Sequence, residues 1–154
     1  MVDSPSQAAR KLATVLGRDH ERLRLLFTEL VGGFEEGDRD ELRHTFARFE
    51  RGLLAHLSAE ERHLFPLFDQ VEPVEAAALK REHALFRKTL DEIGVGVDLH
   101  SVKLDVAQAF VDALSAHALR EDQKLYRWAE QGLDLSGQGA VAHDLARDLS
   151  KDEE

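Results

Sequence analysis

Apolar residues recur at three- and four-residue intervals through four successive stretches, each bounded by glycine, proline or an acidic residue suited to a cap. Leu12, Leu16, Leu23, Phe27 and Leu30 form the first stripe, with His20 inside it. Ser4-Pro5 offers a capping hydroxyl and a proline fit for the first helical position, and Gly32-Gly33 and Gly37 weaken and stop the pattern. Helix A is therefore expected over residues 5–36. Asp38 can cap helix B, expected over 39–69, in which Leu42, Phe46, Phe49, Leu53, His56, Glu60 and Leu64 trace one face and Pro66 should kink or end the helix. Glu72-Pro73 opens helix C, whose stripe holds Ala76, Leu79, His83, Phe86, Leu90 and Ile93, with Gly94 and Gly96 expected to close or loosen it. Asp98 or Ser101 is the expected cap of helix D, which carries Leu104, Phe110, Leu114, His117, Glu121, Leu125 and Trp128 before Gly132. Loop is expected from Asp134 to Gly139, then a short fifth helix from Ala140 to Ser150 and a frayed charged end.

Four long amphipathic helices with short connections predict an all-α, up-down-up-down four-helix bundle with a short C-terminal fifth helix. The length of 154 residues fits one domain over 1–154, its core about 5–132. Val and Ile are few, and Ala, Leu, Glu and Arg dominate, which favours helix over sheet.

Charge narrows the partners. Lys and Arg number 20 against 30 Asp and Glu, a formal charge of −10 that repels nucleic acid and anionic membrane, so neither is expected to bind. No cysteine is present, which removes disulfides, thiolate chemistry and thiolate zinc sites. The start, Met1-Val-Asp-Ser-Pro-Ser-Gln, has no apolar run of a signal peptide, and no stretch approaches a membrane span, so a cytoplasmic protein is expected.

The chemistry lies in the polar residues set into the apolar stripes. His56 and Glu60 are four residues apart on one helix face, and His117 and Glu121 repeat that spacing. Asp19-His20 and Glu82-His83 form a second repeated pair, and the spacings His20 to His56 (36) and His83 to His117 (34) nearly match. Two copies of one helical hairpin would thus set four histidines and two glutamates at related heights inside a bundle. An isolated His/Glu pair at this spacing is more often a solvated surface pair, and a lone histidine in an apolar stripe more often a hydrogen-bonded core residue. All six together are harder to account for that way, because burying them without a cation is costly. Nitrogen and oxygen donors without sulfur suit iron or manganese better than structural zinc, and each glutamate is able to bridge two ions.

On the residues Asp19-His20, His56-x-x-x-Glu60-Glu61-x-x-Leu-Phe-Pro, Glu82-His83 and His117-x-x-x-Glu121-Asp122, the chain resembles the hemerythrin-like, or HHE cation-binding, domain family over roughly residues 15–130. The resemblance implies a non-heme di-iron centre in a four-helix bundle, with His20, His56, Glu60, His83, His117 and Glu121 as ligands. It further implies that Glu60 and Glu121 bridge two iron ions, usually with an oxo or hydroxo group between them. Oxygen-carrying members have a fifth histidine one turn from the one that His83 resembles. Here Leu79 and Arg87 stand at the neighbouring positions. The iron bound by His83 and His117 is therefore expected either to have an extra open position or to take another protein ligand, which argues against a simple oxygen store. The expected function is binding or sensing oxygen, nitric oxide or peroxide, with a small diatomic ligand or peroxide as partner. The alternatives are an iron-storage or iron-responsive module, and a di-iron oxidoreductase acting on peroxide or ferrous iron.

Several neighbours have weaker claims. His63, seven residues after His56, is a candidate for the missing ligand, but its counterpart in the repeat is Lys124, which favours a boundary position. Glu61, Glu82 and Asp122 adjoin ligands but point about 100° away, toward the surface or toward hydrogen bonds that support a ligand. Tyr126 is expected to pack rather than to donate a hydrogen bond to the site. Arg24 and Arg87 are expected to pair with carboxylates, and His44, His100 and His143 to be exposed.

Overall fold

A computed structural model of the chain describes residues 5–36, 38–132 and 135–150, which are almost wholly helical, with no strand among them. The helices are α1 (Pro5–Glu36), α2 (Arg39–His63), α3 (Phe65–Val71), α4 (Pro73–Leu99), α5 (Leu104–Arg120), α6 (Tyr126–Gly132) and α7 (Leu135–Ser150). A π-helical turn, Glu121–Leu125, joins α5 to α6. The expected cap Ser4, the stop at Gly37 and the charged end from residue 151 lie outside the described residues, as does the side chain of Leu12.

Helix B is two helices. Pro66 has no N–H to return to the preceding turn, so α2 ends at His63 with Leu64 as its cap, still bonded to the Glu60 carbonyl, while Pro66 fits the first turn of α3. Asp38 caps α2, accepting a hydrogen bond from the Asp40 amide at 2.8 Å.

Helix C does not close at its glycines but runs to Leu99, where His100 takes the left-handed conformation (φ 53°) and Ser101 N–H bonds back to the Gly96 carbonyl. Gly94 and Gly96 serve close packing instead. A Cβ at Gly94 would meet the Phe46 ring at 3.1 Å, and one at Gly96 would meet Val102 at 3.1 Å. Neither Asp98 nor Ser101 caps helix D, which begins at Leu104 behind Lys103 with no side-chain cap bond. Asp134 lies outside the described residues, and the rest of the expected loop, to Gly139, is replaced by helix: α7 starts at Leu135 and packs along α1 and α2.

Two apolar clusters fill the interior. One holds Leu23, Phe27, Phe49, Leu53, Leu57, Phe86, Leu90 and Phe110; the other holds Leu16, Leu64, Phe65, Phe68, Leu79, Leu125 and Ala129. Each long helix crosses from one cluster to the other. α1 passes from Leu16 to Leu23, α2 from Leu53 to Leu64, α4 from Leu79 to Phe86, and α5 with its π turn from Phe110 to Leu125, so the order of the clusters alternates along the chain. At every crossing stands a histidine: His20, His56, His83 and His117. No helix is long and apolar enough to cross a membrane among the described residues.

Candidate metal centre

The four histidines come from α1, α2, α4 and α5, and one turn beyond the second and fourth lie Glu60 and Glu121. His56, Glu60, His83, His117 and Glu121 are buried, whereas His20 is only partly covered. Their donor atoms fall into two groups, Glu60, His83, His117 and Glu121 on one side and His20, His56 and Glu121 on the other, with Glu121 common to both. Glu60 also faces both sides, its Oε1 lying 3.4 Å from His56 Nε2 and 3.7 Å from His83 Nε2. Glu121 Oε1 lies 3.2 Å from His117 Nε2 and 3.6 Å from His20 Nε2. Nε2 of His83 and Nε2 of His117 converge to 3.2 Å. The six residues named from the sequence are thus brought together, and His63 is not among them. It turns instead to α7, with Nε2 2.9 Å from Asp148 Oδ2.

Behind three of the histidines stands a carboxylate, and behind each carboxylate an arginine. Asp19 Oδ2 is 2.7 Å from His56 Nδ1, and Arg22 holds the other oxygen at 2.8 Å. Glu61 Oε1 faces His83 Nδ1 at 3.5 Å and accepts from Arg87; Glu82 Oε2 faces His117 Nδ1 at 3.6 Å and accepts from Arg120. A carboxylate on Nδ1 turns Nε2 inward with its lone pair free and raises its basicity, the arrangement found behind metal-bound histidines. Glu61 and Glu82 therefore stand behind His83 and His117, whereas Asp122 is exposed. Arg87 pairs as expected, and Arg24 pairs with Glu21 on the surface. His44, His100 and His143 are exposed.

Sequence reasoning missed Tyr126. Its side chain is buried, and its hydroxyl donates to Glu60 Oε2 at 2.8 Å while lying 3.2 Å from His20 Nε2 and 3.5 Å from Glu121 Oε1. The π turn explains this placement. In an α-helix, residues five apart diverge by about 140°, but a turn closed by an i to i+5 bond aligns them. Here Tyr126 N–H bonds to the Glu121 carbonyl. No residue pattern marks such a turn, so only the fold reveals it.

The electrostatics of the metal-free cluster reflect crowding. Burial would lower the His56 pKa, but the nearby Glu60 carboxylate and the hydrogen-bonded Asp19 carboxylate outweigh it and lift the value to about 10. His83 goes the other way, to about 4, because burial dominates and His117 adds repulsion. Burial and the neighbouring Glu121 carboxylate push Glu60 up, while hydrogen bonds from Glu60, His117 and His20 overcome burial to hold Glu121 below the ordinary range. Tyr126 is pushed well above its ordinary value by burial and by both glutamates.

Protons alone do not satisfy this set. Among the described residues, His56 Nε2, Glu60 Oε1 and Glu121 Oε2 are buried with no hydrogen-bond partner and belong to the clustered donors, and Nδ1 of His83 and of His117 is likewise buried and unpartnered. An unpartnered buried carboxylate oxygen is expensive, and a cation between these atoms would remove the expense. The residues present fit a metal: the donors are imidazole and carboxylate, two groups share Glu121, and the outer nitrogen of His56 is hydrogen-bonded to Asp19. A cavity of about 380 Å³ adjoins them, with His20, His56, His117 and Glu121 at its inner wall, Leu53, Leu57 and Leu114 along it, and exposed Glu21, Arg24 and Asp122 at its rim.

These features define an all-helical protein with a buried histidine–carboxylate site of metal-binding type. The family model for the hemerythrin HHE cation binding domain matches residues 11–129, and the chain belongs to that family. No curated protein and no solved structure matches it.

Proposed function

We propose that the chain is one domain whose four long helices form an up-down-up-down bundle around two non-heme iron ions, and that it binds or senses oxygen, nitric oxide or peroxide there. The alternating order of the two apolar clusters along α1, α2, α4 and α5 supports the topology. The single observation that carries the metal reading is the pair of donor groups that share the buried Glu121. His20 and His56 would hold one ion and His83 and His117 the other, with Glu60 and Glu121 bridging. Iron is favoured by the mixed imidazole and carboxylate donors and by the family's cation-binding character.

Iron held by these residues would supply open coordination positions and accessible redox states for a small ligand. The chain supplies the rest. Asp19, Glu61 and Glu82 orient the imidazoles. The apolar wall of Leu53, Leu57 and Leu114 admits a small uncharged molecule while keeping bulk water sparse. Leu79 is fully buried and Arg87 is committed to Glu61, so neither replaces a fifth histidine beside His83. A position on that ion is left for an exogenous ligand.

Anaerobic titration with ferrous iron, followed by oxygen, nitric oxide or peroxide, tests this reading. The expected result is uptake of two irons per chain, one for each donor group, and an absorption change with at least one of the three. A chain that retains no iron, or whose iron spectrum is indifferent to all three, would sink it.

A further inference from the structure

We infer that Tyr126 is a seventh protein donor, its phenolate oxygen ligating the ion held by His20 and His56; this rests on the two-metal reading above. The hydroxyl oxygen lies 2.8 Å from Glu60 Oε2, 3.2 Å from His20 Nε2 and 3.5 Å from Glu121 Oε1. Donors on neighbouring vertices of an octahedron, each about 2.1 Å from a metal, lie about 3 Å apart. The oxygen therefore sits where an adjacent ligand of the same ion belongs.

The phenol donates its one proton to Glu60, and its oxygen also lies beside His20 Nε2 and Glu121 Oε1. A cation shared by those two atoms would come within reach of the phenol oxygen as well. On loading with ferric iron, the O–H bond is exchanged for an O–metal bond and the proton leaves to solvent, with no electron transferred.

The π turn is what puts the phenol there. It inserts one residue between Glu121 and Tyr126 relative to α-helical phase, and its effect is to bring the phenol onto the same face as His117 and Glu121. With Tyr126 engaged, the ion of His20 and His56 has His20, His56, Glu60, Glu121 and Tyr126, whereas the other has His83, His117, Glu60 and Glu121. The exogenous ligand is thereby directed to the His83 and His117 ion. A hard, anionic oxygen donor also favours the ferric state.

The chain contains a single tyrosine, so a tyrosinate signal has one source. The experiment is resonance Raman spectroscopy of the full-length, iron-loaded, oxidised protein, with iron measured on the same sample. Expected are a broad visible charge-transfer band and phenolate ring modes that shift when ring-deuterated tyrosine is incorporated. Tyr126→Phe should keep its iron and lose the band entirely. Full iron content without isotope-sensitive ring modes overturns Tyr126 as a ligand while leaving the two-metal reading intact. A wild-type chain without iron overturns both. If Tyr126→Phe does not fold, the labelled wild-type spectrum decides alone.

Discussion

Asp19 on α1 reaches across to α2 and places Oδ2 2.7 Å from Nδ1 of His56, while its other oxygen is held by Arg22. Both partners are buried, so the bond is shielded from competing water. Asp19 fixes the plane of the imidazole and keeps Nε2 facing Glu60. Asp19→Asn keeps the shape and removes the charge. It is expected to weaken iron retention about 10- to 100-fold, the usual range for losing such a brace, with helical content unchanged. Competition against a chromophoric chelator measures this, and wild-type retention would show that Asp19 only packs.

The same contact sets a pH dependence in the iron-free protein. Burial opposes protonation of His56, but Glu60 and Asp19 raise its pKa from 6.5 to about 10. A raised value means that the proton stabilises the fold fully below 6.5, and that this contribution is lost as pH rises toward and through about 10. Thermal melts of the iron-free protein should therefore fall across that window. In the iron-loaded protein Nε2 is committed to metal, so the same slope should be much reduced. Parallel slopes in the two forms would contradict the assignment of His56.

Iron loading should itself stabilise the chain, since the donor groups converge only in the folded state. At free metal about 1,000-fold above its dissociation constant, the gain is about 4 kcal/mol. For a chain of this size that corresponds to a rise of roughly 10 °C in melting temperature. Calorimetry with and without a chelator reads it directly, and an unchanged transition would count against a site built from these six residues.

At the far end of α2, His63 bonds to Asp148 of α7 at 2.9 Å, with Arg62 3.2 Å from the same oxygen. His63 holds the Asp148 carboxyl below its ordinary value of 3.8, so this link is present above that value and fades as pH falls below it. Asp148→Ala is expected to cost only about 0.5–1 kcal/mol, as partly exposed ion pairs do. Amide hydrogen exchange should quicken in α7 and stay unchanged in α4. Uniform acceleration across both helices would mean that α7 is integral to the fold rather than clasped onto it.

Much of the helical skeleton is legible along the chain. The stripes through Leu23 and Phe27, Phe49 and Leu53, Leu79 and Phe86 locate the long helices, and Pro66 marks the break between α2 and α3. The boundaries that differ are those where a glycine has two uses. Gly94 and Gly96 resemble a helix stop in sequence, but in the fold they let α4 approach Phe46 and Val102. Gly139 stands inside α7, whose packing along α1 and α2 outweighs the local preference for loop.

The sequence by itself determined which residues converge. His56 with Glu60 and His117 with Glu121 share helix faces through a local four-residue periodicity, and the repeat relates His20 to His83. Only the tertiary structure decided what braces and completes them. Asp19 reaches His56, Glu61 reaches His83 and Glu82 reaches His117 across pairs of helices, at sequence separations that no local period encodes. Tyr126 depends on a one-residue change of helical phase between α5 and α6. Periodicity is a property of one helix, whereas the geometry around a buried donor is set by the helices that pack against it.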